Sequence, residues 1–470
     1  MRITTHGRHA AMRTASIYPH LLACLTHTVL EPAVGARYLA IADWLRDFTS
    51  WSDERRLAWQ RQQLTTVLEY ACEVVPFYRA RFSRTDGRRL SLDSFPIVDK
   101  AKIRADLDAF LPPGWRERPY IPKRTGGTSG DPWQYPLDRR AWAHMYGAAI
   151  HFKELTGYRY GEPMVLFGTP TSLGVAEPDW KSRLRHKLER HHLSQVGFAL
   201  DEKSSRDRLA YGLKANAAVW YGYASTIAAM ADVALAQKKA VEGPRAIITT
   251  AETLQPVWRQ RIEKAFGPRL YDEYGCNDGG ILAQTCRHGR FHVAENISVV
   301  EILEGEKRCP PGVEGDVVVT NLHARVLPFI RYKIGDRAVL GEGPCPCGIP
   351  GTILDRLGGR AWDYVQLRDG TRVSSVAFNP VFIEIPGVRR WQVVQPSLDQ
   401  LIVRLDVDSS FINRQAEVIR RYVIAQCPGV QVDLSTTEPI ERTQGGKHKA
   451  VVRKIELGTV GAAPSRPDGH

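Results

Sequence analysis

The sequence predicts an α/β protein: a large N-terminal domain of mostly parallel sheets plus a β appendage, then a small, mobile α+β C-terminal domain. Three observations predict it. The chain has 470 residues, too many for one compact core. Between Pro163 and Tyr274 short apolar runs alternate with helical patterns, as in strands joined by crossover helices. Beyond residue 290 alternating β runs take over, and from Gly358 a separate α+β pattern begins. The expected boundaries are 1–356 for the large domain, 357–457 for the small one and 458–470 for a disordered tail rich in Gly, Pro and Ala.

Residues 51–83 read as helix, because Leu57, Leu64, Val67, Leu68, Ala71 and Val74 recur at helical spacing up to Pro76. Arg104–Phe110 reads as a short helix ahead of Pro112-Pro113, and Arg139–Leu155 as a longer one. Strands are expected at Pro163–Phe167, Ala217–Trp220, Pro244–Thr250 and from Arg269, with helices at Ser225–Leu235 and Val257–Phe266. Ligands of such a sheet sit beyond the carboxyl ends of its strands. Phe291–Leu303, Gly315–Asn321 and Pro328–Tyr332 make the β appendage. In the small domain, Trp391–Val394, Leu401–Val407 and Val430–Leu434 read as strands and Phe411–Cys427 as a helix.

Hydrophobic and charged contents of 43% and 24% are ordinary for a globular protein. The net charge of +13 is spread over pairs such as Arg55-Arg56, Arg139-Arg140 and Arg420-Arg421. No Lys/Arg block interleaved with aromatics suggests a nucleic-acid groove, so no nucleic-acid partner is expected. Eight cysteines are too sparse for a disulfide scaffold and fit the reduced thiols of the cytoplasm. The first acidic residue is Glu31, which leaves a basic, acid-free head; Pro19, His20 and His27 interrupt its apolar stretch and argue against a targeting peptide. No apolar run is long enough to span a membrane. A homodimer is left open.

The chemistry begins at Lys123-Arg124-Thr125-Gly126-Gly127-Thr128-Ser129-Gly130-Asp131-Pro132. Glycines let a backbone approach a ligand closely, and the exposed N–H groups and hydroxyls can wrap phosphate oxygens. A Walker loop would end in Gly-Lys-Ser/Thr, and here Asp131 follows Gly130. Four further segments sharpen this reading. Tyr271–Gly280 closes a strand with Tyr274, Gly275 and Asp278; an aromatic there can stack on a purine and a carboxylate can hold Mg²⁺. Ile330–Asp336 puts Asp336 on a tight turn, where it can accept ribose hydroxyls. Arg356–Arg360 follows, and Arg442–Lys447 mounts Lys447 on a glycine turn. Each has a structural alternative: Asp278 and Asp336 as turn residues, Tyr274 as core, Arg360 as a surface ion pair, Lys447 as a solvated turn lysine.

With these motifs in this order, the chain resembles the adenylate-forming (AMP-binding) superfamily, in particular the branch of phenylacetate–CoA ligases and capsule-biosynthesis adenylating proteins. Pro76-Phe-Tyr78 and Phe95–Lys100 look like the same branch. The resemblance implies that a carboxylate attacks the α-phosphate of ATP to give an acyl-adenylate, and that a nucleophile, most often coenzyme A, then displaces AMP. It implies that Thr125, Gly126, Gly127, Thr128, Ser129 and Gly130 cradle the β/γ-phosphates, and that Ala251 and Glu252 frame the adenine. Tyr274 and Gly275 would flank the base, with Tyr274 stacked on it. Asp278 would stand at the Mg²⁺ edge where the family usually has Glu, a departure that puts the metal geometry in doubt. Asp336 would hold the ribose, Arg360 the ribose or phosphate, and Lys447 the transition state. An amide-forming ligase, adenylyl transfer to a hydroxyl, a phosphotransferase releasing ADP and a basic polyanion-binding protein are the competing readings.

Cys286 and His292, with Cys345-Pro-Cys347-Gly348, offer a Cys₃His set of the kind that holds structural zinc, with His288 as an alternative ligand. The C-x-C spacing is tighter than usual, but some members of the resembling branch carry a zinc knuckle in this region. The small-molecule carboxylate is expected near Trp220, Tyr221, Tyr223, Ala224 and Ser225, across from Gly168–Ser172; aromatic walls suit an aryl or arylacetic acid.

Overall fold

The computed structural model describes residues 17–82, 90–124, 134–167, 184, 187–193, 202–237, 241–276, 280–360, 364–442 and 448–455. Its backbone is one 13-stranded sheet. The strands His191–Leu193, Met164–Phe167, Val219–Tyr223, Ala246–Thr250 and Leu270–Cys276 run parallel, in that order across the sheet. Every residue of Ala246–Thr250 is buried, as expected of a central strand covered on both faces. The helices Ala224–Ala236 and Pro256–Phe266 cover it, packing Ile227, Met230, Trp258 and Ile262 with Trp220 and Phe266 in one apolar cluster.

Antiparallel strands continue the same sheet rather than forming a detached layer. Gly280–Thr285 turns back along Leu270–Cys276, followed across the sheet by Phe291–Val293, Ile353–Arg360, Tyr332–Leu340, Glu314–Asn321 and Ser298–Glu304. The β appendage is thus hydrogen-bonded to the parallel strands. Ile353–Arg360 stays in this sheet beyond residue 356. The segment read as a helix over Arg104–Phe110 is instead an α-turn at Lys100–Ala105 and a 3₁₀ turn at Leu107–Phe110, separated by Asp106, whose side chain accepts from the Ala109 N–H.

Two N-caps fix the longer helices of the large domain. Ser52 accepts from the Arg55 N–H at the start of Asp53–Val74, which ends where Pro76 withdraws a donor. Asp138 accepts from the Ala141 N–H (2.8 Å) at the start of Arg139–Leu155, and its second oxygen takes the Arg325 N–H (2.7 Å), tying this helix to the 321–326 segment. A second core lies in the last hundred residues. Val388–Ser397, Gln400–Val407, Gln431–Ser435 and Val451–Arg453 form a separate four-stranded sheet. The helix Asn413–Gln426 covers it through Ile419 and Val423, and Trp391 stacks on Phe382 in the same cluster.

Candidate active site and its docked C-terminal segment

Strand register gathers the predicted nucleotide residues at the carboxyl ends of the parallel strands. Thr250 pairs with Glu273, so Ala251 and Glu252 leave their strand alongside Tyr274 and Gly275. Ala251 holds φ +66°, a left-handed conformation that costs a residue bearing Cβ about 1–2 kcal/mol. That turn swings Glu252 towards the small domain. Gly275 is required by close approach, because a Cβ there would meet the Gly280 carbonyl at 2.6 Å.

Tyr274 lies almost wholly in the core, and its Oη donates to Asp336 Oδ2 at 3.1 Å. Asp336 in turn pairs in register with Arg360 on the neighbouring strand. Three motifs spread over the sequence therefore meet in one corner: an aromatic, a carboxylate held by its hydroxyl, and an arginine position opposite. The glycine-rich stretch leaves from the hairpin Tyr120–Arg124/Gln134–Asp138. Tyr135 of that hairpin packs edge-on to Phe329, close to the start of the strand that carries Asp336. Thr125, Gly126, Gly127, Thr128, Ser129, Gly130, Asp278 and Lys447 lie outside the described residues.

The small domain closes over this corner through His448. Its backbone N–H donates to Glu252 Oε1 at 2.5 Å, while Glu252 Oε2 takes the Ser225 N–H at 2.9 Å. The His448 ring lies edge-on to Trp258 (5.1 Å) and puts Nε2 3.1 Å from Gln255 Nε2. The Trp258 indole donates to the Arg389 carbonyl (3.2 Å), and Arg261 donates to that of Val388 (2.6 Å). Burial raises the Glu252 carboxyl, against the two N–H bonds that favour its charge. Burial lowers His448 to about 3, with Arg442 and Arg390 adding to it, so the ring is neutral. Sequence reasoning missed His448, Gln255 and Trp258. The one available signal was a histidine directly after Lys447.

The expected acyl pocket is partly corrected. Trp220 is fully buried against Phe167 and Phe266, on the helix-covered face, and belongs to the core. Tyr221 points the other way and donates to Glu273 Oε1 at 2.5 Å, with Lys153 5.0 Å from its ring.

At the opposite end of the sheet two hairpin turns face each other. One bends from Cys286 to Arg290 and returns through His292; the other bends at Cys345-Pro346-Cys347-Gly348. The ligand atoms of Cys286, His292, Cys345 and Cys347 all lie within 4.8 Å of one another. Cys286 Sγ is 3.5 Å from Cys345 Sγ, and Cys347 Sγ is 3.2 Å from His292 Nε2. Zinc–sulfur bonds of about 2.3 Å in a tetrahedron imply ligand separations of about 3.8 Å, so the set fits zinc. Backbone N–H groups of His288 and Ile349 donate to the Cys286 and Cys347 sulfurs, as thiolate ligands require. Burial lowers His292 to about 4, which leaves its imidazole neutral. His288 contributes its backbone here and is not among the four.

Comparison with known proteins follows the same lines. The fold is that of the adenylate-forming ligases. A 2-hydroxyisobutyryl-CoA ligase in its postadenylation state superposes with TM-score 0.69 at 20% identity, over 86% of this chain and 90% of the other. The same ligase in an open conformation gives 0.55 at 20% identity, over 83% and 90%. In sequence, Protein CapK of Staphylococcus aureus is 22% identical over 84% of this chain and 89% of its own. Phenylacetate-coenzyme A ligase of Thermus thermophilus is 25% identical over 34% and 38%. Residues 365–454 match the family model of the CapK C-terminal domain. In fold the chain is therefore similar to the adenylate-forming ligases, and in sequence to Protein CapK and phenylacetate-coenzyme A ligase.

Proposed function

We propose that this protein is an ATP-dependent, AMP-forming ligase that converts a carboxylic acid, aryl or arylacetic, to its acyl-adenylate and passes the acyl group to coenzyme A. The observation that carries the reading is the corner where the Tyr274–Asp336 pair and the Glu252 turn meet the docked C-terminal segment, one residue from Lys447. The solved ligase with the same fold holds an acyl-adenylate. The aryl preference rests on Tyr221 and Tyr223 near the strand ends.

In this reading the adenine stacks on Tyr274 beside Ala251, Glu252 and Gly275. Asp336 accepts the ribose hydroxyls, held in place by the Tyr274 hydroxyl, and Arg360 lies at the ribose or phosphate. Thr125, Thr128 and Ser129, with the amides of Gly126, Gly127 and Gly130, cradle the β/γ-phosphates. Lys447, carried in by the His448 contacts, neutralises charge on the α-phosphate as the carboxylate attacks and pyrophosphate leaves. Mg²⁺ at Asp278 would screen the phosphate oxygens. Positioning and charge neutralisation, rather than acid–base chemistry, supply the catalysis. We further assign Cys286, His292, Cys345 and Cys347 to one structural zinc ion. The test is pyrophosphate release over a panel of aryl, fatty and amino acids, with and without coenzyme A. An acid-dependent signal giving AMP supports the reading; release of ADP, or none with any acid, overturns it.

A further inference from the structure

The first described helix carries an apolar stripe that nothing among the described residues covers. Tyr18–Leu25, a wider turn at Thr26–Leu30 and Glu31–Val34 form one continuous helical run. Its inner face is fully used. Leu22 is buried against Gly161, Thr26 Oγ1 lies 3.3 Å from the Tyr160 hydroxyl, and Glu31 turns inward to accept the N–H groups of Leu39 (2.5 Å) and Ala40 (3.2 Å). The helix therefore cannot roll to hide its outer face.

On that outer face Ile17, Leu21, Leu25 and Val29 recur every four residues and are 71%, 63%, 38% and 52% exposed. Between them lie His20, Cys24 and Thr28, and no Asp, Glu, Lys or Arg. The Thr28 hydroxyl is spent on the Cys24 carbonyl (2.8 Å), which removes polarity from the stripe. Aligned exposed apolar residues of this kind mark a docking surface. The surrounding charge selects the partner. The chain up to residue 30 carries Arg2, Arg8 and Arg13 with no acidic residue, and Arg190 sits over the Tyr18 ring at the N-terminal end of the helix. The nearest acids are turned away or paired: Glu31 is buried, and Asp43 lies 2.9 Å from His27 and 2.5 Å from Arg46, which also pairs with Glu154 (2.7 Å).

We propose that this helix docks the protein peripherally on an anionic lipid surface, its stripe inserted at the headgroup–acyl boundary, with Arg190 and the net positive charge of the acid-free first thirty residues favouring anionic headgroups. No helix among the described residues is long and apolar enough to cross a membrane, so the contact is interfacial. It is independent of the ligase reading. The test is cosedimentation of the full-length protein with vesicles of phosphatidylcholine alone and with about 30 mol% phosphatidylglycerol. The expected result is binding to the anionic vesicles only, weakened by salt. The double variant Leu21→Glu/Leu25→Glu should lower the partition coefficient by about tenfold or more, with its melting temperature within about 2 °C of the parent. Should that variant melt early, Leu21→Glu alone gives the same reading in smaller measure. No binding by the parent protein, or equal binding by folded variants, overturns the proposal. So does a parent dimer that the substitutions split into monomers, since the stripe would then be covered by a second copy.

Discussion

The two ends of the central sheet are built on opposite plans. At the carboxyl ends of the parallel strands the site is completed by a segment of the small domain, joined to the large one through the His448 N–H, its ring and two backbone carbonyls. At the other end, two hairpin turns within the large domain bring four ligand atoms together. The first assembly is held by a few bonds that can part and re-form, as the proposed two-step reaction would require. The second closes on itself and has nothing to release. Damage at the first end should cost activity and spare the fold; damage at the second should cost the fold.

The largest effect is expected at the nucleotide end. Lys447→Ala should lower ATP–pyrophosphate exchange by about 10²–10³-fold, as loss of one charge-stabilising donor does elsewhere, with an unchanged thermal melt. Unaltered exchange would remove Lys447 from the chemistry. At the other end the balance reverses. Cys345→Ser should bring zinc below about half an equivalent and lower the melting temperature by about 5 °C or more. A metal assay with a melt decides it, and a metal-free parent protein that melts like the variant would break the comparison.

His448 tests whether docking itself matters. His448→Ala keeps the N–H that Glu252 accepts but deletes the ring set between Gln255 and Trp258. Adenylation should fall about tenfold, the scale of one lost buried contact. Transfer from a supplied acyl-adenylate should be spared if, as in the proposed function, the docked Lys447 segment serves the first step. Equal loss in both steps would mean that His448 supports the fold and not the docked state.

How far the sequence carried depends on what each residue answers to. The ordered motifs pointed to the carboxyl ends of the parallel strands because residues at set positions answer to a ligand's chemistry. The structure brings Glu252, Tyr274 and Asp336 to that end, while the glycine-rich stretch and Asp278 lie outside the described residues. Trp220 and Tyr221 show where that logic stops. Neighbours on one strand face opposite sides, so the helix-covered face takes Trp220 while Tyr221 reaches Glu273. Which element packs on each face is decided elsewhere in the chain. The Tyr274–Asp336 bond spans 62 positions, and only the antiparallel continuation of the sheet brings the two together. Local alternation reveals strands, but not that the β appendage is hydrogen-bonded to the parallel ones. The Cys286, His292, Cys345 and Cys347 cluster was legible because thiols and imidazoles cluster rarely without cause, whereas His448 looked like any polar residue of a turn.

The smallest expected effect compares two buried histidines, one at each end. His448 is engaged; His151, behind the Cys/His turns, has no hydrogen-bond partner on either nitrogen among the described residues. Burial lowers His151 to about 4, against about 6.5 in an unfolded chain. The folded state thus holds the ring neutral, and protons favour unfolding below about pH 6.5 until the folded state also takes one near pH 4. His151→Leu removes that linkage. Relative to the variant, the parent protein should lose about 1 kcal/mol of stability between about pH 7.5 and about pH 5.5, read from urea denaturation at both values. Other groups titrate in this window, among them Asp272, which burial raises to about 7, so only the difference between the two proteins carries the signal. A difference that does not change with pH would mean that His151 finds a partner or water on folding, and that this end of the sheet is wetter than its packing implies.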